Sequence, residues 1–173
     1  MSLVLPGKIP IAARNLEVLE SKGKVHKLRI YDLQKAAVLQ TKDATDGISI
    51  WASPSLSGYR SVWRQASLDK WVDPIEEWGE GTDIDHVYPK SWSLVPGMKM
   101  AYVRLFPVWA EVNRSAGAGR EKTFLHKIRS KPLMIADIVY ADELQVLKII
   151  GHPVGTSSQP EAIFDSKSSK KKR

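Results

Sequence analysis

Residues 81 to 92, GTDIDHVYPKSW, set two carboxylates, Asp83 and Asp85, beside His86, one of four histidines in the chain. A neutral imidazole has an unperturbed pKa of about 6.5, so it can take a proton from water near neutral pH. A carboxylate next to it offers charged oxygen to a hard cation such as Mg²⁺ or Mn²⁺. A base and a cation are what hydrolysis of a phosphodiester needs: one makes the nucleophile, the other balances the charge that grows on phosphate and leaving oxygen. In a regular strand Asp85 and His86 point to opposite faces, and Asp83 shares the face of Asp85. They converge only if the strand ends or bends, and Tyr88-Pro89 supplies a bend. Taken singly, such an Asp-His pair also reads as a surface ion pair or a cap.

The elements that must hold these residues follow from the pattern of apolar positions. TDIDHVY reads as a strand with Ile84, His86 and Tyr88 on one face. PKSWSLVPGMK is loop-like, AYVRLF is a second strand, and Pro107 suits the first turn of a helix, PVWAEVNRSA. Upstream, Leu28, Ile30, Tyr31, Leu33, Ala37 and Val38 fall at helical spacing and predict a helix over 28–40. GISIWAS, residues 47–53, alternates as a strand, and Val62, Trp63 and Ala66 predict a short helix whose stripe excludes Leu68. WVDPIEEWGEG is a loop that feeds the Asp-His strand. LMIADIVYADELQVLKII is mostly helical in pattern and stops at Gly151.

The central order is therefore strand with Asp-His, irregular loop, strand, and helix with Asn113. "DIDHVYPKSW…LFPVWAEVNRSAG" resembles the HNH, or ββα-metal, nuclease superfamily over residues 80 to 122. The matching residues are Asp85-His86, Pro89-Lys90-Ser91, and Asn113 followed by Arg114. The resemblance implies an α+β fold with a ββα-metal core and added N-terminal and C-terminal helices. That makes one nuclease domain over 1–155, with an N-terminal extension over 1–79 and C-terminal helices over 123–155. It also implies roles. Asp85 holds one Mg²⁺ or Mn²⁺ ion, His86 activates water as general base, and Asn113 completes the protein ligands. Asp83 is an extra or outer ligand candidate. Arg104 stands about where many family members carry a middle Asn. The implied activity is endonucleolytic cleavage of DNA before RNA, leaving 5′-phosphate and 3′-hydroxyl ends. A bacterial toxin or effector with a cognate inhibitor protein fits this reading, as does a phage-type nuclease. The alternative is a non-catalytic nucleic-acid-binding protein on the same scaffold.

Composition narrows the classes without choosing among them. The 173 residues carry a net charge of +7 and no cysteine, so disulfides, thiolate metal sites and thiol nucleophiles are excluded. Any bound metal must take His, Asp, Glu or Asn. The stretch from Arg114 to Lys131 holds Arg114, Arg120, Lys122, Lys127, Arg129 and Lys131 against one acid, Glu121. That asymmetry points to a polyanionic partner, nucleic acid first. Lys90, Arg114, Arg120 and Lys122 are the phosphate-contact candidates. Residues 156–173 read as a disordered basic tail. No apolar run approaches the roughly 20 residues of a membrane span, and no cleavable leader is recognisable, so the expected location is cytoplasmic, or another cell if the chain is a delivered effector.

Overall fold

The computed structural model describes residues 9–42, 47–89, 92, 99–117 and 137–151. In chain order the elements are β1 (Pro10–Ala13), α1 (Leu16–Glu20), β2 (Lys24–Lys27), β3 (Ala36–Gln40), β4 (Ile48–Ala52) and α2 (Tyr59–Leu68). A 3₁₀ helix (Ile75–Trp78) leads into β5 (Thr82–His86), β6 (Tyr102–Trp109), α3 (Ala110–Gly117), β7 (Ile138–Tyr140) and α4 (Glu143–Ile149). The fold is mixed α+β, built on a curled antiparallel sheet.

The sheet runs β2-β3-β4-β6-β1-β7, and β5 also pairs with β6. β6 is the shared strand. Its first half is registered against both β1 (Ala12↔Val103) and β4 (Ile50↔Leu105), and its second half against β5, from His86↔Leu105 to Thr82↔Trp109. Apolar side chains on both faces explain why the central strands bury completely. On one face Val38, Ile50, Leu105 and Ile84 pack under Val62, Trp63 and Ala66 of α2. On another, Leu39, Trp51 and Tyr102 gather with Leu19 of α1. Trp51 is fully buried, and its indole N–H donates to Ser49 Oγ at 2.9 Å, so the deepest aromatic leaves no orphaned donor.

Three expectations change here. Residues 28–40 are not a helix. Leu28 is buried, but Ile30 is 69% exposed, and the chain turns before Ala36–Leu39 enter the sheet with all four side chains buried. A strand covered on both faces shows a continuous apolar run, and its overlap with helical spacing was accidental. The N-terminal part therefore contributes four strands beside its helices, and it shares its sheet with the Asp-His strand. Second, Pro107 does not start a helix. It lies inside β6 opposite Ile84, where β6 is paired only with β5 among the described residues and one missing donor is tolerated. The helix starts at Ala110, whose N–H donates to Gly81 O at 2.9 Å. Third, the C-terminal helical pattern splits. Ile138–Tyr140 adds a strand beside β1. Asp142 then caps α4 by accepting from Gln145 N, while the Gln145 side chain accepts from Asp142 N.

The strands at Ile48–Ala52 and Thr82–His86, the β6 strand and the α2 helix stand where the apolar pattern put them, and Leu68 is exposed as its off-stripe position required. Residues 123–136 of the expected C-terminal helices, and the tail, lie outside the described residues. Among the described residues no helix is long and apolar enough to cross a membrane.

Ile84 sits between Asp83 and Asp85 and is the anchor that fixes β5 beneath α2, with 5% of its surface exposed. Ile84→Ala should cost about 2–5 kcal/mol. Urea unfolding followed by circular dichroism would measure it, and a loss below about 0.5 kcal/mol would show that β5 is held by its ladder alone.

Candidate functional site

β5 ends at His86, and the chain bends through Val87 and Tyr88, both buried. The His86 Nδ1 hydrogen bonds to the carbonyl oxygen of Tyr88. A carbonyl only accepts, so Nδ1 carries the proton, and in the neutral ring the lone pair belongs to Nε2. The ring is half-buried, and its centre lies 5.0 Å from that of Tyr59, the first residue of α2, in a T-shaped contact.

Asp85 faces another helix. Its Oδ2 accepts from the Lys148 ammonium of α4 at 2.7 Å, and the two side chains are only 21% and 12% exposed. In that partly dry setting a charge-assisted hydrogen bond is strong, and leaving either partner alone is costly. α4 is held over the bend by Gln145, whose amide donates to Val87 O at 3.3 Å. Asp83 meets Arg60 of α2 at 3.6 Å in a more open pair, with side chains 43% and 63% exposed, which adds little stability. The two carboxylates of the strand thus answer to cations from two different helices.

Tyr59 joins these parts. Burial, with the Asp85 charge adding to it, pushes its phenol up from about 10 to about 12. Burial alone raises Tyr88, and burial with Glu17 and Glu20 raises Tyr102.

The residues singled out by sequence fare unequally. Asp85 and His86 are adjacent at a strand end, with the bend that their convergence requires. Asn113 is half-buried on α3, and α3 packs against β5, β6 and α4. Arg114 is exposed and folds its Nε back onto Ala110 O at 3.2 Å. Arg104 lies opposite Trp51 in the ladder, with its guanidinium 4.8 Å from the Phe106 ring centre. Lys90, Arg120 and Lys122 lie outside the described residues. Among the described residues no three His, Asp or Glu side chains cluster as a metal site.

Sequence reasoning missed Tyr59 and Lys148. Lys148 did leave a signal: it is the one cation in ELQVLKI, a segment otherwise short of charge. Nothing local marked Tyr59. No protein-family model, curated protein or solved structure matches this chain.

Two outcomes are expected. Lys148→Met should destabilise the fold by about 1.5–3 kcal/mol, because it strands a charged, hydrogen-bonded carboxylate. Adding Asp85→Asn should recover part of that loss, and a double-mutant cycle in urea measures the coupling; strict additivity would deny the pair any role. The second concerns alkaline pH. The folded phenol of Tyr59 holds its proton to higher pH than the unfolded one, so stability is flat below about pH 10 and falls as pH climbs toward 12. Tyr59→Phe should make that fall shallower. Unfolding curves between pH 8 and 11.5 give the slope, and an unchanged slope contradicts the assignment.

Proposed function

We propose that this chain is a metal-dependent, HNH-type endonuclease acting on DNA. One observation carries the reading: His86, at the end of β5 and next to Asp85, has its Nδ1 proton committed to the Tyr88 carbonyl. That bond orients the ring and leaves Nε2 as the basic nitrogen, the form a general base needs. The element order supports the reading. β5 pairs antiparallel with β6, and α3, bearing Asn113, follows without a break.

In this reading His86 takes the proton from water as that water attacks phosphorus, and later returns it to solvent. Its T-shaped neighbour Tyr59 limits the ring's rotation and remains a neutral phenol throughout the working pH range. Asp85 offers a charged oxygen and Asn113 a neutral one, a donor set that suits a hard cation, and the Lys148 ammonium at 2.7 Å from Asp85 would have to give way to it. Asp85 and Asn113 would hold Mg²⁺ or Mn²⁺ there, with Asp83 as an outer carboxylate. Such an ion, when bound, supplies charge compensation for the phosphate and the leaving oxygen. Arg114, and the basic residues around it in sequence, supply positive charge for the DNA backbone.

The same ion pair favours a second reading. With Lys148 neutralising Asp85, the scaffold can bind DNA without cutting it. Plasmid nicking separates the two. The wild-type chain is incubated with supercoiled plasmid in Mg²⁺ or Mn²⁺, beside EDTA and His86→Ala. The nuclease reading expects nicking that disappears in EDTA and drops at least 100-fold in His86→Ala, as removal of a general base should do. Salt-sensitive binding without any nicking would establish the second reading instead.

A further inference from the structure

A cleft of about 340 Å³ lies between α2 and the 3₁₀ helix, outside the Asp85–His86 centre. Arg60 and Arg64 line it from α2, with Ser61 and Ser67 between and beyond them, and Glu76 is the one acid on its wall. Two guanidiniums four residues apart share a helix face, separated by about 6 Å along the axis. Arg64 is exposed and has no hydrogen-bond or ion-pair partner among the described residues, and Arg60 keeps only the open contact to Asp83. The walls are fixed from behind. Trp63, between the arginines, is buried, and its indole donates to Asp73 O at 3.1 Å, tying α2 to the segment that leads into the 3₁₀ helix. Trp78, at the end of that helix, is 48% exposed and packs in a T-shaped pair with Trp63, ring centres 6.4 Å apart.

We infer that this cleft is a phosphate-binding track for a DNA strand, with Arg60 and Arg64 as its two contacts. Three observations converge on a polyanion rather than a small neutral ligand. Apart from the Glu76 carboxylate, the polar side chains of the lining are guanidiniums and hydroxyls, which match phosphate oxygens in donor type. Guanidiniums outnumber carboxylates on its walls, in a chain whose net charge is +7. Trp78, half-exposed at the end of the 3₁₀ helix whose Ile75 and Glu76 line the cleft, offers an aromatic face beyond it for a base next to a held phosphate. One lining residue, Arg60, links the cleft to the centre described above. Tyr59, the neighbour of Arg60, touches the His86 ring, and Asp83, the partner of Arg60, is two residues from Asp85. A strand held on α2 would present its next phosphates toward His86. This inference rests on DNA as the partner, but not on DNA being cut.

The test uses the full-length His86→Ala chain in EDTA, so that nothing is cleaved, with a fluorescein-labelled DNA duplex and anisotropy titrations at several salt concentrations. Each phosphate contact contributes about 0.9 to the slope of log affinity against log salt for duplex DNA. Arg60→Gln with Arg64→Gln should therefore lower the slope by about 1.8, and Arg60→Lys with Arg64→Lys should retain most of it. Lys22→Gln with Lys24→Gln, at the far edge of the sheet, removes the same charge and should leave the slope in place. An unchanged slope in the double Gln variant overturns the inference, as does an equal loss in the Lys22/Lys24 control, which would reduce the effect to net charge. Failures of the two readings look different. Arginine-dependent binding by a wild-type chain that nicks no plasmid removes the nuclease and keeps the track. Nicking by a chain whose binding ignores both arginines does the opposite, and absence of salt-sensitive binding removes both.

Discussion

Eight residues, Tyr102 to Trp109, carry ladder pairings to three other strands, and the rest of the molecule hangs on them. β1 and β4 register against the first half of β6, and β5 against the second. Backbone N–H and C=O groups buried in a sheet must be paired, so a strand with this many partners has almost no freedom to slide. A slip of one residue would turn Leu105 out of the cluster beneath α2 and move His86, its partner, with it. The place of the Asp-His pair is thus set by β6 rather than by its own short strand.

On that frame the charges are divided between helices. Asp83 is met by α2 through Arg60, and Asp85 by α4 through Lys148. The first pair is open to water and weak; the second is largely enclosed, and there the low local dielectric makes both the attraction and the cost of losing it large. Tyr59 lies between the two systems, touching His86 and feeling Asp85. The acidic strand is thus met by protein cations at both carboxylates. It is also a strand on which an incoming cation or phosphate would have to exchange with Arg60 or Lys148, so ligand binding at this place is coupled to the packing of α2 and α4.

Much of the element pattern could be read locally. The period-2 alternation of TDIDH and the Val62-Trp63-Ala66 stripe survive because each buries one face or stripe against a neighbour, and that leaves a periodic trace. The misreadings share a cause. Ala36 to Leu39 is covered on both faces, so it has no polar alternation to mark it as a strand. Pro107 looks like a helix start because local rules cannot see that β6 has lost one partner by that point. Ile138–Tyr140 joins the sheet only because β1, far upstream, offers it an edge.

By itself the sequence determined the chemical inventory: Asp83, Asp85 and His86 in one extended segment, a bend after it, a second strand, a helix bearing Asn113, no thiol, and an excess of positive charge. Those follow from residue types and near-neighbour spacing, which act over a few bonds. Tertiary structure alone decided who meets these groups. Lys148 reaches Asp85 from 63 residues away, Tyr59 stands against His86, and Arg60 closes on Asp83. Such pairings depend on how a sheet curls and where helices dock on it, and short-range periodicity has no term for either.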